Sequence, residues 1–451
     1  MNLRYRIITA AMAIACAAAP AAAQSHGGSN SSYSRYGLGL PADPSQGFNR
    51  AMGGVAQGLR SRSRINMQNP ASYSAMDSLT FLFDVGMGLQ RTRMSQGNTA
   101  MSVNNTAFEY VSAAFRLGRN IGMSVGFRPF TDIGYSFTQE RDVTIDPYSL
   151  QSVTQQVSYD GNGGLHQAYI GAGWRPFKGL SVGANAGIIW GSISNQAVQT
   201  FTENGTSNTS NYSSLSTYYS ADILTWKGDI GLQYQHLLNQ TNLLTVGATV
   251  GIGHTVGSDA TILRTSLRGD TIKNVATNAY QLPMTYSFGI AWEHAQKLTL
   301  AADVTLGQWG SCTTPQLNGE GTNSRYEAAT GEYSNNFRIS AGLEYVPDRF
   351  NHAFLSRVNY RLGAFYTSPN QRINGHDGPH EFGITAGVAL PITNAITNRS
   401  FNNVYAPSYV NIGLQWTRRD ADFSNAITEN VFRINIGLTF NERWFMKWQF
   451  R

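Results

Sequence analysis

The residues of this chain that could do chemistry are poorly spaced for it. Its eight histidines are scattered, and no Gly-x-Ser-x-Gly turn presents a nucleophile. No pair of carboxylates stands in a pattern suited to general acid–base work. Gly251-Ile252-Gly253-His254 carries glycines but opens no helix, so it reads as a strand end and not a phosphate loop. Of the two cysteines, Cys16 falls in the leader and Cys312 is left single, which allows neither an internal disulfide nor a metal spacing. No enzyme activity, metal or cofactor is expected. What remains is charge and proline: an Arg60-Ser61-Arg62-Ser63-Arg64 run, dispersed acids, and Pro129 inside a strand-like segment.

The elements that would position these residues announce themselves by period-two alternation. Leu180, Val182, Ala184, Ala186, Ile188 and Trp190 alternate with Ser181, Gly183, Asn185 and Gly187. The segments from Leu79 to Leu89, Leu282 to Trp292 and Phe432 to Phe440 repeat the pattern, with one face apolar and the other small or polar. Such segments fall near 78–92, 106–118, 121–139, 164–176, 179–195, 218–236 and 241–254, then 280–294, 297–310, 334–347, 355–367, 379–391, 406–418 and 430–440. That makes fourteen strands of membrane-spanning length, an even number as a closed bacterial barrel needs. Tight connections at 118–120, 177–178, 239–240 and 295–296 alternate with long polar ones at 140–163, 195–217, 255–279 and 311–333. The connection at 392–405 is a longer turn on the short side. A soluble β-sandwich would explain the strands but neither the loop asymmetry nor the leader.

Arg4 and Arg6 precede an apolar run from Ile7 to Ala19, and Ala21-Ala22-Ala23 offers a small-residue cleavage site before Gln24. Residues 1–23 therefore read as a secretory signal peptide, the apolar run being too short to span a bilayer. Ala13-Ile14-Ala15-Cys16 is a weaker lipoprotein-like alternative. No long apolar run follows the leader, which excludes helical spans. Charged residues make up only 13%, aromatics 12%, and 46 glycines are spread throughout. The net charge of +6 contains no basic block, so nucleic acid is not an expected partner.

Residues 24–77 carry no strand pattern and are expected to plug the lumen of the barrel at 78–440, since side chains alone cannot fill so wide a barrel. Here Ala51-Met52-Gly53-Gly54 and the motif Asn69, Pro70, Ala71, followed by fourteen strands, resemble the FadL/TodX family of hydrophobic-compound transporters. Tyr33-Ser34-Arg35-Tyr36-Gly37 is similar to the opening of the family's Bacteroidota branch. The resemblance implies an all-β, 14-stranded antiparallel transmembrane β-barrel with an N-terminal hatch. It also implies a kinked third strand facing the Asn-Pro-Ala stretch.

Pro129 interrupts the third strand: Met123, Val125 and Phe127 keep an outward phase that Ile133, Tyr135 and Phe137 are expected to resume. A proline lacks the ladder donor, so Phe127, Pro129 and Phe130 mark a candidate lateral gate, a harmless bulge being the alternative. Pro283, near the start of the eighth strand, reads as the harmless kind. Arg60, Arg62 and Arg64 are expected to dock on lumen-phase acids among Asp84, Asp229, Asp303, Glu344 and Glu381. The tail at 441–451, with Trp444, Trp448 and Phe450 among basic residues, suits a membrane interface or a partner. The expected function is uptake of small hydrophobic, fatty-acid-like compounds across the cell outer membrane, with plug-gated lateral release into the membrane lipid. The alternative is a FadL-like structural subunit of an outer-membrane assembly or secretion complex, with other outer-membrane subunits as partners. Both termini are expected in the periplasm.

Overall fold

The computed structural model describes residues 30–443, apart from positions 79 and 425 and residues 147–150, 204–205, 208–213, 267–268, 319–324 and 393–406. The leader at 1–23, residues 24–29, the turn at 393–405 and the tail after 443 lie outside the described residues.

Fourteen long strands form one antiparallel sheet that closes on itself. The first seven are β1 (Thr80–Gln96), β2 (Thr99–Gly118), β3 (Ile121–Asp146), β4 (Gln151–Trp174), β5 (Leu180–Glu203), β6 (Leu215–Leu237) and β7 (Asn242–Gly251). The second seven are β8 (Thr285–His294), β9 (Leu298–Gly307), β10 (Asn336–Tyr345), β11 (Asn359–Thr367), β12 (His380–Pro391), β13 (Tyr409–Asp420) and β14 (Thr428–Arg443). Closure comes from β1 pairing with β14, from Thr80 opposite Arg443 to Ser95 opposite Thr428. The outward row is apolar and bare: Leu224 is 69% exposed, Leu362 58% and Phe288 55%. A sheet face of that kind belongs in lipid, and closure leaves no bilayer-facing edge over most of its circumference.

Two expectations about the outer regions need correcting. The connections at 140–163 and 195–217 are largely ladder, because their Thr, Ser, Gln and Val residues suit strands as well as loops. Thus β3 and β4 stay paired out to Asp146 opposite Gln151. Within 255–279, Ala260–Ser266 and Thr271–Ala276 form a hairpin whose first strand joins β6, while Thr314–Asn318 and Arg325–Ala329 form another. The segment 280–294 is not one strand: it breaks at Pro283, so Tyr280–Leu282 pairs with His254–Val256 and Leu282 is buried, not lipid-facing.

Residues 30–78 pass lengthwise through the lumen. Ser31 sits on Glu429, at the long-loop end of β14, opposite Arg443. The chain then descends past Leu40–Pro41 and a helical turn at Gly47–Arg50 to a 3₁₀ turn at Pro70–Ala75 beside the short connections. Contacts on every side show that this segment lies within the wall. Phe48, Met52, Val55 and Leu59 pack with Ala291 of β8 and Ala301 of β9, whereas Ile65, Met67, Tyr73 and Met76 pack with Leu82, Tyr110, Ala114 and Tyr169 of β1, β2 and β4. Inward-facing glycines make room: a Cβ on Gly183 would lie 2.5 Å from the Pro70 carbonyl, and one on Gly363 would run into Gly53.

Candidate functional site: a gap beside the third strand

The β2–β3 ladder runs from Gly118 opposite Ile121 to Val111 opposite Phe127. Beyond that pair no ladder joins the two strands among the described residues: Thr99–Tyr110 continues against β1, and β3 continues against β4. The parting coincides with a bulge. Pro129 faces His166 and Thr131 faces Leu165, leaving Phe130 as an extra residue without a partner on β4. Proline has no donor to offer a ladder, and one inserted residue bends the strand and shifts its side-chain parity.

The distortion continues across the sheet. Gly163, Gly164 and Gly191 take φ of +125°, +143° and +153°, and a Cβ on Gly164 would lie 2.6 Å from the Thr131 carbonyl. Only glycine adopts such backbone at little cost. The outer halves of β3, β4 and β5 are thus bent along one line from Phe130 to Gly191.

The parity shift overturns one expectation. Ile133 and Tyr135 do not resume the outward phase; they are 0% and 8% exposed and point into the barrel. A one-residue slip turns every following side chain to the other face. They join Leu165, Ile189, Ile193, Ile223 and the outer hairpins in an apolar cluster that includes Leu38 from the lumen segment. The gate residues divide accordingly. Phe130 packs against this inner cluster, while Phe127 stacks on His166 and approaches Phe108 and Trp190, the last 38% exposed on the outer face.

The lumen segment occupies the edge that β2 leaves free. Leu40 and Pro41 pair antiparallel with Asp132 and Thr131, and Ala42 N donates to the Phe130 carbonyl at 3.0 Å. Gly134 N donates to Ser34 Oγ at 3.2 Å. The segment is tied above the gap by Ser31 Oγ donating to Glu429 at 2.7 Å and Tyr33 Oη donating to the Ile427 carbonyl at 2.6 Å.

Lower down, the Asn69-Pro70-Ala71 motif is the start of a 3₁₀ turn. Asn69 Oδ1 caps it by accepting from Ala71 N at 3.2 Å, and proline suits the first helical position, where no donor is needed. Asn69 Nδ2 donates to the Gln57 carbonyl at 3.0 Å and the Leu232 carbonyl at 3.3 Å, tying the turn to β6. The motif faces β4, β5 and β6, and the Tyr73 carbonyl further along the turn crowds Gly122 of β3.

The arginine run splits. Arg64 reaches Glu344 at 2.8 Å, and Arg361 holds the same carboxylate at 2.7 Å. Arg60 meets no carboxylate; it donates to Ser181 Oγ at 2.5 Å and Ser74 Oγ at 3.0 Å. Arg62 points outward, 3.8 Å from Asp77. Among the acids, Asp303 accepts from the Ala56 and Gln57 amides at 2.5 and 2.9 Å, so it binds the plug backbone rather than an arginine. Asp84 accepts from Tyr110 and Thr439, Asp229 pairs with Lys227 on its own strand, and Glu381 pairs with Arg419 of the neighbouring strand. Asp229 and Glu381 answer a cation of their own wall close by, whereas Asp84 is held by wall hydroxyls and by Gln46 of the plug, whose Nε2 donates at 3.5 Å. Two plug anchors escaped sequence reasoning: the buried ion pair of Arg50 with Glu109, and Ser31 with Glu429. Neither Arg50 nor Ser31 lies in a motif, and their partners are distant in the chain.

This fold recurs in solved structures. The CymD monoaromatic hydrocarbon channel matches with a TM-score of 0.56 and 15% identity, over 90% of this chain and 99% of that one. The toluene transporter TbuX of Ralstonia pickettii gives 0.56 and 16%, over 92% of this chain and 100% of its own. A FadL homologue of Pseudomonas aeruginosa gives 0.55 and 11%, over 91% and 100%. No curated protein matches in sequence. The barrel is therefore of the FadL/TodX type in fold, while the family model that matches in sequence, over residues 5–451, carries another name: the chain belongs to the BamG family.

Proposed function

We propose that the protein sits in the outer membrane of a Gram-negative bacterium of the Bacteroidota, exported by removal of residues 1–23. There it passes small hydrophobic compounds, fatty-acid-like or aromatic, from its lumen sideways into the bilayer. One observation carries the reading: the β2–β3 ladder stops at Phe127, and behind the opening lies an apolar interior reaching from the outer hairpins to Phe130. The occupant of the free edge, Leu40–Pro41, is held there by few backbone bonds and would act as the movable stop. The descriptions of CymD as a monoaromatic hydrocarbon channel and of TbuX as a toluene transporter agree with this reading. Uptake of a radiolabelled aromatic hydrocarbon by cells with and without the protein tests it; equal rates would end it.

A second reading has its own support. The interior cluster at the gap is filled by Leu38, and the match in sequence is to BamG rather than to a hydrocarbon-channel family. On this reading the barrel is a structural subunit of an outer-membrane assembly or secretion complex. Phe350, Phe354 and Leu355, each 46–69% exposed on the connection between β10 and β11, would be part of its contact surface. Purification in mild detergent that yields stoichiometric outer-membrane proteins, with no uptake defect in the deletion strain, would establish it over the first.

A further inference from the structure

At the short-connection end, the lumen opens into a chamber of about 490 Å³ between the plug and the wall, within the ~300–1,000 Å³ range of small-molecule sites. Its lining is unbalanced in charge. Arg60, Arg62, Arg64, Arg175 and Arg349 face it, against Asp77, Glu293 and Glu344. Of these acids, Glu344 already serves two guanidiniums, one of them the buried Arg361 outside the chamber. Asp77 stands 3.8 Å from the solvent-exposed Arg62.

Arg60 is the clearest of these cationic groups. It is bonded only to neutral hydroxyls, with the like charge of Arg175 nearby. Arg349 adds a buried Nε without a partner among the described residues. A half-buried guanidinium bonded only to hydroxyls keeps donors for an anion, and its planar fork matches a carboxylate or phosphate. Phe48, Met52, Leu59, Leu243, Phe350 and Tyr409 give the same lining its apolar surface.

We propose that this chamber is a binding site for a small organic oxyanion, a phosphate or carboxylate carried on an apolar or aromatic body. Arg60, Arg175 and Arg349 take the charged group and Phe48, Phe350 and Tyr409 the body. The site is reached from the aqueous mouth and does not depend on lateral passage at the gap.

Calorimetric titration of the purified full-length protein in detergent tests this with inorganic phosphate and phenyl phosphate as probes. Saturable binding is expected for both, tighter for phenyl phosphate and weakened by salt. Arg60→Gln and Arg349→Gln should each weaken phenyl phosphate by about tenfold or more, the scale of one charge-assisted hydrogen bond. Arg91→Gln, on the exposed outer face of β1, should change nothing. Folding of each variant is read independently from its heat-modifiable electrophoretic mobility. Absence of saturable binding, or equal affinity in folded wild type and both arginine variants, overturns the site. Saturation by phosphate with exclusion of phenyl phosphate overturns the apolar half. Saturation only by an acidic peptide assigns the arginines to a protein segment instead.

Discussion

Leu40, in the segment that threads the lumen, stands opposite Asp132 of β3 as an antiparallel partner, in the place that β2 abandons after Phe127. Opposed antiparallel residues have Cα atoms roughly 4.5–5.5 Å apart, within the reach of a disulfide. The double variant Leu40→Cys, Asp132→Cys, made on Cys312→Ser, should therefore oxidise to a cross-linked species. If the segment must leave this edge for a compound to exit, oxidation abolishes uptake of a hydrophobic probe and reduction restores it. Full uptake in the cross-linked barrel would show that Leu40 is no stop.

The glycines of the inner face give a second expectation. Gly183 lies under the Pro70–Ala71 peptide, where any side chain meets backbone. Backbone cannot yield as a flexible side chain can, so Gly183→Val should displace the Asn69–Ala75 turn while leaving the β5 ladder intact. Single barrels in a planar bilayer should then conduct more than wild type, approaching a variant lacking residues 24–77. Wild-type conductance in both would mean that these residues do not seal the lumen.

Much of this was legible in the sequence, and the reasons differ by residue. Strand count and outward phase followed from alternation, because lipid and lumen impose opposite demands on successive residues. Gly183 was visible in the lumen phase, although which backbone it admits was not. The turn of Ile133 and Tyr135 to the inside was hidden, since the inner face becomes apolar above the bulge and the alternation looks the same on either parity. Arg60 and Arg64 are four residues apart in one Ser-Arg run, yet one finds Glu344 and the other finds only serines. That choice is made by the placement of strands hundreds of residues away, which no local pattern encodes.

Cys312 gives an expectation about topology that burial alters. Its side chain is 1% exposed and its thiol is pushed up to about 11 by that burial, so it should resist an impermeant maleimide near neutral pH until the protein unfolds. Orientation is better read from Asp270→Cys, at the exposed tip of the Ala260–Ala276 hairpin, on a Cys312→Ser background. Labelling of whole cells is expected there, with the short connections on the periplasmic side. Labelling only after permeabilisation would invert the barrel.

Pro129 and Phe130 separate two ideas about the gap. Pro129 stands where the ladder to β2 has already ended, so its missing donor forfeits no bond on that side. Pro129→Val restores a donor and a β-favourable side chain, and thermal stability should hold or rise by up to ~1 kcal/mol. Uptake of a hydrophobic probe should fall, because the restored strand can extend its pairing toward β2 and narrow the opening. The bend itself should survive, since Phe130 is the extra residue and Gly163, Gly164 and Gly191 carry the line across β4 and β5. Deleting Phe130 is the opposite experiment. It reverses the parity of everything after it, turning Ile133 and Tyr135 to lipid and Asp132 and Gly134 toward Leu38. The folded, heat-modifiable form should then be lost. A stable barrel after that deletion would refute the parity account, and unchanged uptake in Pro129→Val would remove the gap as an exit while leaving the structural-subunit reading in place.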